Sequence, residues 1–267
     1  MTRYTVNCSI LFTEQPLLER PAAAKAAGFD AVEFWWPFPT ATPSEAEVDA
    51  FVRSIEDAGV RLTGLNFAAG DMPGGDRGLV SWVGREGEFR ASVDIAVKIG
   101  ERLGTEVFNA LYGNRLDGVD PAEQDALALE NLAYAAGRTS AAVLLEPVSG
   151  AERYPLLTAA DAIAVIDKVG APNVRLLADL YHLTVNGDDV DAVLAEHIDR
   201  ISHVQIADAP GRNEPGTGEI DFPRHFAALE RGGYTGWIGL EYKASTTSDR
   251  AFDWISADSA GSGSGGS

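Results

Sequence analysis

A single cysteine, Cys8, stands in a chain of 267 residues. No internal disulfide can form, which fits a reducing, cytoplasmic setting. Between Val6-Asn7 and Ser9-Ile10, Cys8 reads as a small buried hydrophobe rather than a nucleophile. There is also no thiolate cluster for zinc. Basic residues are scarce: 21 Lys and Arg against 40 Asp and Glu give a formal net charge of −19. That balance argues against a nucleic-acid or anionic-membrane partner, either of which needs a basic face. No apolar run approaches the ~18 residues of a membrane span, and Met1-Thr2-Arg3-Tyr4 does not begin a signal-peptide stretch. No strand–helix junction carries the glycine-rich phosphate loop of a dinucleotide fold, so no organic cofactor is expected.

What is present is an alternation of strand and helix signals. Strands are expected near Tyr4–Ile10, Ala31–Trp35, Val60–Leu65 and Thr105–Leu111, then ending at Glu146, Asp179, Asp208 and near Tyr242. Helices are expected over Pro16–Ala27, Ser44–Ala58, Arg85–Leu103, Pro121–Gly137, Thr158–Val169, Val190–His197 and Asp221–Arg231. Pro43-Ser44 and Asp120-Pro121 supply start signals, and Gly28, Gly59 and Gly104 supply stops. Such units build either an open doubly wound sheet or a closed barrel, and eight of them favour closure. The expected architecture is a single-domain (β/α)8 TIM barrel over residues 1–256, with 257–267 as a flexible, appended Gly/Ser tail.

Four apolar runs in the second half each end in an oxygen-bearing side chain. They are Ala141–Pro147 with Glu146, Val174–Asp179 with Asp179, Ile201–Asp208 with Gln205, and Trp237–Lys243 with Glu241. In a barrel the C-terminal strand ends meet at one mouth, where barrel enzymes place their chemistry. Three carboxylates there raise one another's pKa, a conflict that a divalent cation resolves. Carboxylate and amide oxygens suit Mg²⁺ or Mn²⁺, with Co²⁺ also accepted by such a set. His182, just past Asp179, either bonds a substrate oxygen or is a surface loop residue. Arg212, in the Pro- and Gly-rich loop 207–220, either grips an anionic or hydroxylated substrate or pairs with Glu214 or Glu219. Phe34-Trp35-Trp36-Pro37-Phe38, joined by Phe12, reads as a wall excluding water or as an oligomer contact. Lys243 either assists a substrate carboxylate or snorkels to solvent.

On these residues the chain resembles the xylose isomerase-like barrels, and within them the hydroxypyruvate isomerase family. The resemblance runs from Asn7–Phe12 to Glu241-Tyr242-Lys243. Its most specific stretches are Gly28–Phe34, Asn66–Asp71, Gly84–Glu86 with Glu88–Arg90, His203–Asp208, Glu214–Ile220 and Gly236–Lys243. It implies a metal held by Glu146, Asp179, Gln205 and Glu241, with Glu146 and Glu241 as the proton-transfer pair. It implies interconversion of hydroxypyruvate and 2-hydroxy-3-oxopropanoate. The expected reaction runs through an enediolate, with His182 and Arg212 positioning this small hydroxy-carbonyl substrate. Related ketose 3-epimerases carry a histidine where Gln205 stands. Glu152, six residues past Glu146, matches an acidic substrate contact, although Val148-Ser149-Gly150-Ala151 departs from the loop usual there. Relatives often form dimers or tetramers, so a homo-oligomer is expected. The rivals are a ketose 3-epimerase or sugar-acid isomerase, a barrel endonuclease acting on abasic DNA, and a barrel that only binds a ligand. Four histidines and the acidic balance oppose the endonuclease.

Overall fold

The computed structural model describes residues 2–255. The Gly/Ser tail therefore lies outside the described residues. Eight parallel strands close in sequence order, β1 pairing with both β2 and β8. They are β1 (Arg3–Asn7), β2 (Ala31–Phe34), β3 (Arg61–Asn66), β4 (Val107–Asn109), β5 (Ala142–Leu145), β6 (Val174–Asp179), β7 (Ile201–Ile206) and β8 (Trp237–Leu240). This is the TIM barrel expected from the alternation of elements.

The helices follow local signals. In α2 (Glu45–Ala58), Ser44 and Glu47 cap each other reciprocally, and Gly59 ends the helix in the left-handed conformation. α4 (Pro121–Arg138) starts on Asp120, whose side chain accepts from the Ala122 N–H. In α3 (Glu86–Leu103), Phe89, Val93, Ala96, Val97 and Ile99 are buried, the helical stripe read from the sequence. α5 (Ala159–Val169), α7 (Val190–His197) and α8 (Phe222–Arg231) also form where expected. The predicted Pro16–Ala27 helix is a 3₁₀ turn at Leu17–Glu19 followed by α1 (Arg20–Ala26). An additional short helix, α6 (Leu180–Asn186), follows β6 directly. Its start signal is Asp179 itself, whose carboxylate accepts from the Tyr181 and His182 N–H groups.

Strand ends differ from expectation at the mouth. β4 stops at Asn109 and β7 at Ile206, short of Leu111 and Asp208. Beyond β7 the chain turns on Asp208. Its fully buried carboxylate accepts from the N–H groups of Ala209, Gly216, Gly218 and Ile220. Asp208 is thus a loop anchor, and loop 207–220 has a fixed path.

Most of the apolar core lies between strands and helices, where Phe34 meets Phe51 edge-on and Phe67 stacks on Phe108. The space inside the barrel is more polar. Val107, Leu144 and Leu177 form a small apolar cluster there. Beside it lie the Thr5–Thr63 hydroxyl pair at 2.7 Å and a Glu33–His203 pair at 2.6 Å. Gly239 makes room for this charge: a Cβ on it would lie 2.6 Å from Glu33 Oε1 and 2.8 Å from Gln205 Cγ. Replacing Gly239 by Ala should therefore cost about 1–3 kcal/mol of stability in urea unfolding, because a packed barrel interior yields little. An unchanged unfolding midpoint would show that Glu33 and Gln205 can move aside.

Candidate active site

Glu146 follows β5, Asp179 ends β6, Gln205 lies on β7 and Glu241 follows β8. All four are between 0% and 5% exposed at the C-terminal mouth. Glu146 Oε2 accepts from Asn109 Nδ2 at 2.7 Å, and its main-chain carbonyl accepts from the Tyr154 hydroxyl at 3.0 Å. Glu241 accepts from Asn7 Nδ2 at 3.1 Å, Trp35 Nε1 at 3.2 Å and Arg212 Nη2 at 2.7 Å. The same Arg212 Nη2 lies 3.9 Å from Asp179 Oδ2. His182 Nε2 lies 3.6 Å from Asp179 Oδ2 and 3.8 Å from Glu146 Oε1. The carboxylates therefore converge, as the strand-end pattern suggested.

Arg212 is held with φ +56°, a left-handed backbone that costs a side-chain-bearing residue about 1–2 kcal/mol. Local pairing holds it there. Its N–H donates to Asp208 O and its carbonyl accepts from Lys243 N, while Asp208 N donates to Asn213 O. The guanidinium also lies 5.4 Å from the Tyr181 ring. It pairs with neither Glu214 nor Glu219; Glu214 instead accepts from the Ser245 N–H.

His182 is buried, not a surface histidine. Its Nδ1 accepts from the Ser149 N–H at 3.0 Å, so in the neutral ring the proton sits on Nε2. Burial keeps the ring neutral, lowering its pKa to about 4. Glu146, Asp179 and His182 bring their ligand atoms within 4.8 Å of one another. Yet a protonated Nε2 has no lone pair for a cation, so His182 is a donor in this arrangement rather than a ligand.

The oxygens fit a divalent cation better. Asp179 Oδ2 and Gln205 Oε1 are buried without a hydrogen-bond donor. Leaving such atoms bare costs free energy, and hard oxygens of this kind suit Mg²⁺ or Mn²⁺. Burial, followed by repulsion from Asp179, pushes Glu146 up to about 8 despite the Asn109 hydrogen bond. Burial is also the main cause raising Glu241, with Arg212 opposing it and Glu146 and Asp179 adding to it.

Two expected substrate contacts are not brought to the mouth. Glu152 is exposed on the loop after β5, with no hydrogen bond or ion pair among the described residues. That loop turns inward through Ser149 and the buried Tyr154 instead. Lys243 is also exposed, because β8 ends at Leu240 and its alternation does not continue. Its contribution is main-chain: its N–H and carbonyl pin Arg212 and Asn213. The aromatic segment divides. Trp35 reaches Glu241, whereas Trp36 packs on Phe38, Phe38 on Phe51, and Phe12 on Phe252. Asn7, Glu33, Asn109, Ser149 and His203 join the site from outside the strand-end pattern of the second half. Asn7 and Asn109 carry the signal used elsewhere, a polar side chain closing an apolar strand, but in the first half of the chain. Glu33 is a charge inside the otherwise apolar Ala31-Val32-Glu33-Phe34.

The profile of the xylose isomerase-like TIM barrel family matches residues 21–258. The chain belongs to that family. A Streptomyces coelicolor relative with the provisional name hydroxypyruvate isomerase is 53% identical, the match covering 96% of each chain. A 2-oxo-tetronate isomerase from Cupriavidus necator is 35% identical, covering 96% of this chain and 98% of its own. The crystal structure of a Brucella melitensis protein described as an AP endonuclease of family 2 superposes with a TM-score of 0.87. It is 32% identical, covering 96% of this chain and 99% of that one. No helix among the described residues of this xylose isomerase-like barrel is long and apolar enough to cross a membrane.

The buried acids give a pH signature. A carboxyl raised by folding stabilises the fold while protonated. The Glu146 contribution is whole below about 4.5 and is lost as pH rises through about 8. His182 has the opposite sign: its contribution is present above 6.5 and lost as pH falls through about 4. Between pH 6.5 and about 8 only the carboxyl sign operates for these two. Ion-free protein should therefore lose thermal stability across that interval, and Glu146→Gln should remove much of the slope. Melting curves whose pH dependence is the same in both proteins would place the titration elsewhere.

Proposed function

We propose that this barrel is a metal-dependent isomerase that interconverts hydroxypyruvate and 2-hydroxy-3-oxopropanoate through an enediolate. The observation that carries the reading is the pair of buried glutamates, Glu146 and Glu241, at one mouth with the unpartnered oxygens of Asp179 and Gln205. Glu146, Asp179, Gln205 and Glu241 would hold the cation, Mg²⁺ or Mn²⁺. When bound, it supplies Lewis-acid polarisation and relieves the repulsion among the acids. The family membership and the relatives named for hydroxypyruvate and 2-oxo-tetronate support an isomerase of small oxo acids.

The residues have distinct tasks. One glutamate takes a proton from C3 of hydroxypyruvate, and a glutamate delivers a proton to C2. The hydroxyl proton on O3 passes to O2, so atoms balance and no external oxidant or reductant is needed. A carboxyl raised by burial is a stronger base than an exposed one, which suits removal of a carbon-bound proton. The Nε2–H of His182 donates to a substrate oxygen, and the Arg212 fork turns from Glu241 to the substrate carboxylate. Trp35 and the fixed loop 207–220 limit water at the reacting carbons. The exposed Glu152 and Lys243 have no part in this scheme.

Glu146→Gln and Glu241→Gln should each lower kcat by at least about 10²–10⁴-fold while the protein stays folded. NMR of hydroxypyruvate incubated with Mg²⁺- or Mn²⁺-loaded protein reads both the product and the rate. Turnover near wild type in either variant removes that residue from proton transfer. Chelation should abolish turnover and either cation restore it. The second reading is an isomerase of a longer sugar acid, favoured by the Cupriavidus relative. Profiling hydroxypyruvate against 2-oxo-tetronate and C4–C6 ketoses separates these, a ketose preference pointing to a 3-epimerase.

A further inference from the structure

Below the mouth, the barrel interior holds a carboxylate that the proposed reaction does not use. Glu33 projects from β2 and is 3% exposed. Three side chains hydrogen-bond to it, with Gln205 and Asn7 as donors. His203 Nε2 lies 2.6 Å from Oε2, while Gln205 Nε2 at 2.7 Å and Asn7 Nδ2 at 3.1 Å share Oε1. Gly239 leaves the space this group fills, and Gly64 passes close on the other side, where an added Cβ would lie 3.4 Å from Glu33 Cβ. A carboxyl group buried at this depth is costly unless it is hydrogen-bonded, and Glu33 accepts from Gln205 and Asn7 with His203 Nε2 against its other oxygen.

The direction of these hydrogen bonds matters. A carboxylate accepts and does not donate, so Gln205 must turn its Nε2 toward Glu33. Its Oε1 is thereby left facing away and unpartnered. Asn7 transmits a second constraint. Its Nδ2 donates both to Glu33 Oε1 and to Glu241 Oε2, each at 3.1 Å, while its Oδ1 accepts from the Ser9 N–H at 3.0 Å. The Asn7 amide is thus locked in one orientation. One buried carboxylate therefore sets the aim of two side chains on two other strands.

We propose that Glu33 is a positioning residue that turns the Gln205 amide oxygen toward a bound divalent cation and, through Asn7, holds the Glu241 carboxylate in place. The inference rests on the cation reading of the mouth. A glutamine at position 33 keeps the volume but brings an amide that can donate, so Gln205 is free to turn over. Residues that orient metal ligands commonly govern affinity by about 10- to 100-fold.

The test is a double-mutant cycle on Mn²⁺ affinity, measured by calorimetry and by the Mn²⁺ EPR signal. Glu33→Gln should weaken Mn²⁺ binding by about 10- to 100-fold. In a Gln205→Ala background most of that loss should vanish, because the ligand through which Glu33 acts is gone. An equal loss in both backgrounds, or no loss in either, overturns the proposal. A wild-type protein that binds no Mn²⁺ sinks the cation reading and this role together. Wild-type binding with Glu33→Gln unaffected sinks the role of Glu33 alone. Should Glu33→Gln not fold, ¹⁵N NMR of the Mg²⁺-loaded wild type decides. The Nε2 protons of Gln205 should be protected from solvent exchange, and an unprotected amide overturns the assignment.

Discussion

Mutual repulsion among Glu146, Asp179 and Glu241 is the constraint that organises this molecule. Each is almost wholly removed from water, and burial with like charge favours the protonated form of both glutamates. The barrel answers with donors from many strands. Asn109 reaches Glu146, while Asn7, Trp35 and Arg212 reach Glu241. The α6 N-terminus meets Asp179. Asp179 Oδ2, Gln205 Oε1 and Asn109 Oδ1 stay bare among the described residues, which leaves the mouth electrostatically incomplete in the direction a cation satisfies.

Scaffold and site are joined by hydrogen bonds that run through the loops. Asp208 gathers four main-chain donors and fixes the loop that carries Arg212. The main chain at Lys243, just past β8, closes the same loop from the other side. Ser149 sets the tautomer of His182, so the segment after β5 determines which ring nitrogen faces the acids. These supports come from residues that do not themselves meet at the mouth, and they explain how a strained backbone at Arg212 persists.

The order and identity of the elements were legible in the sequence because they rest on short-range physics. Caps at Ser44 and Asp120, left-handed stops at Gly59 and Gly104, and the apolar stripe of α3 act over a few residues. That Glu146, Asp179, Gln205 and Glu241 all stand at or near C-terminal strand ends was also legible, because a closed parallel barrel puts every strand end on one face. Side-chain partners were not. That Arg212 meets Glu241 rather than Glu214 depends on the path of loop 207–220, and that Lys243 faces solvent depends on β8 ending at Leu240. Glu33 shows the limit most clearly. Its charge within β2 is visible in the chain, but its partners Asn7, His203 and Gln205 come from β1 and β7, and the room for it comes from Gly239 on β8. Periodicity and capping, which are local, determined the barrel and the four ligand candidates. Closure of the barrel, which is not local, decided which donors each acid receives and which oxygens remain bare.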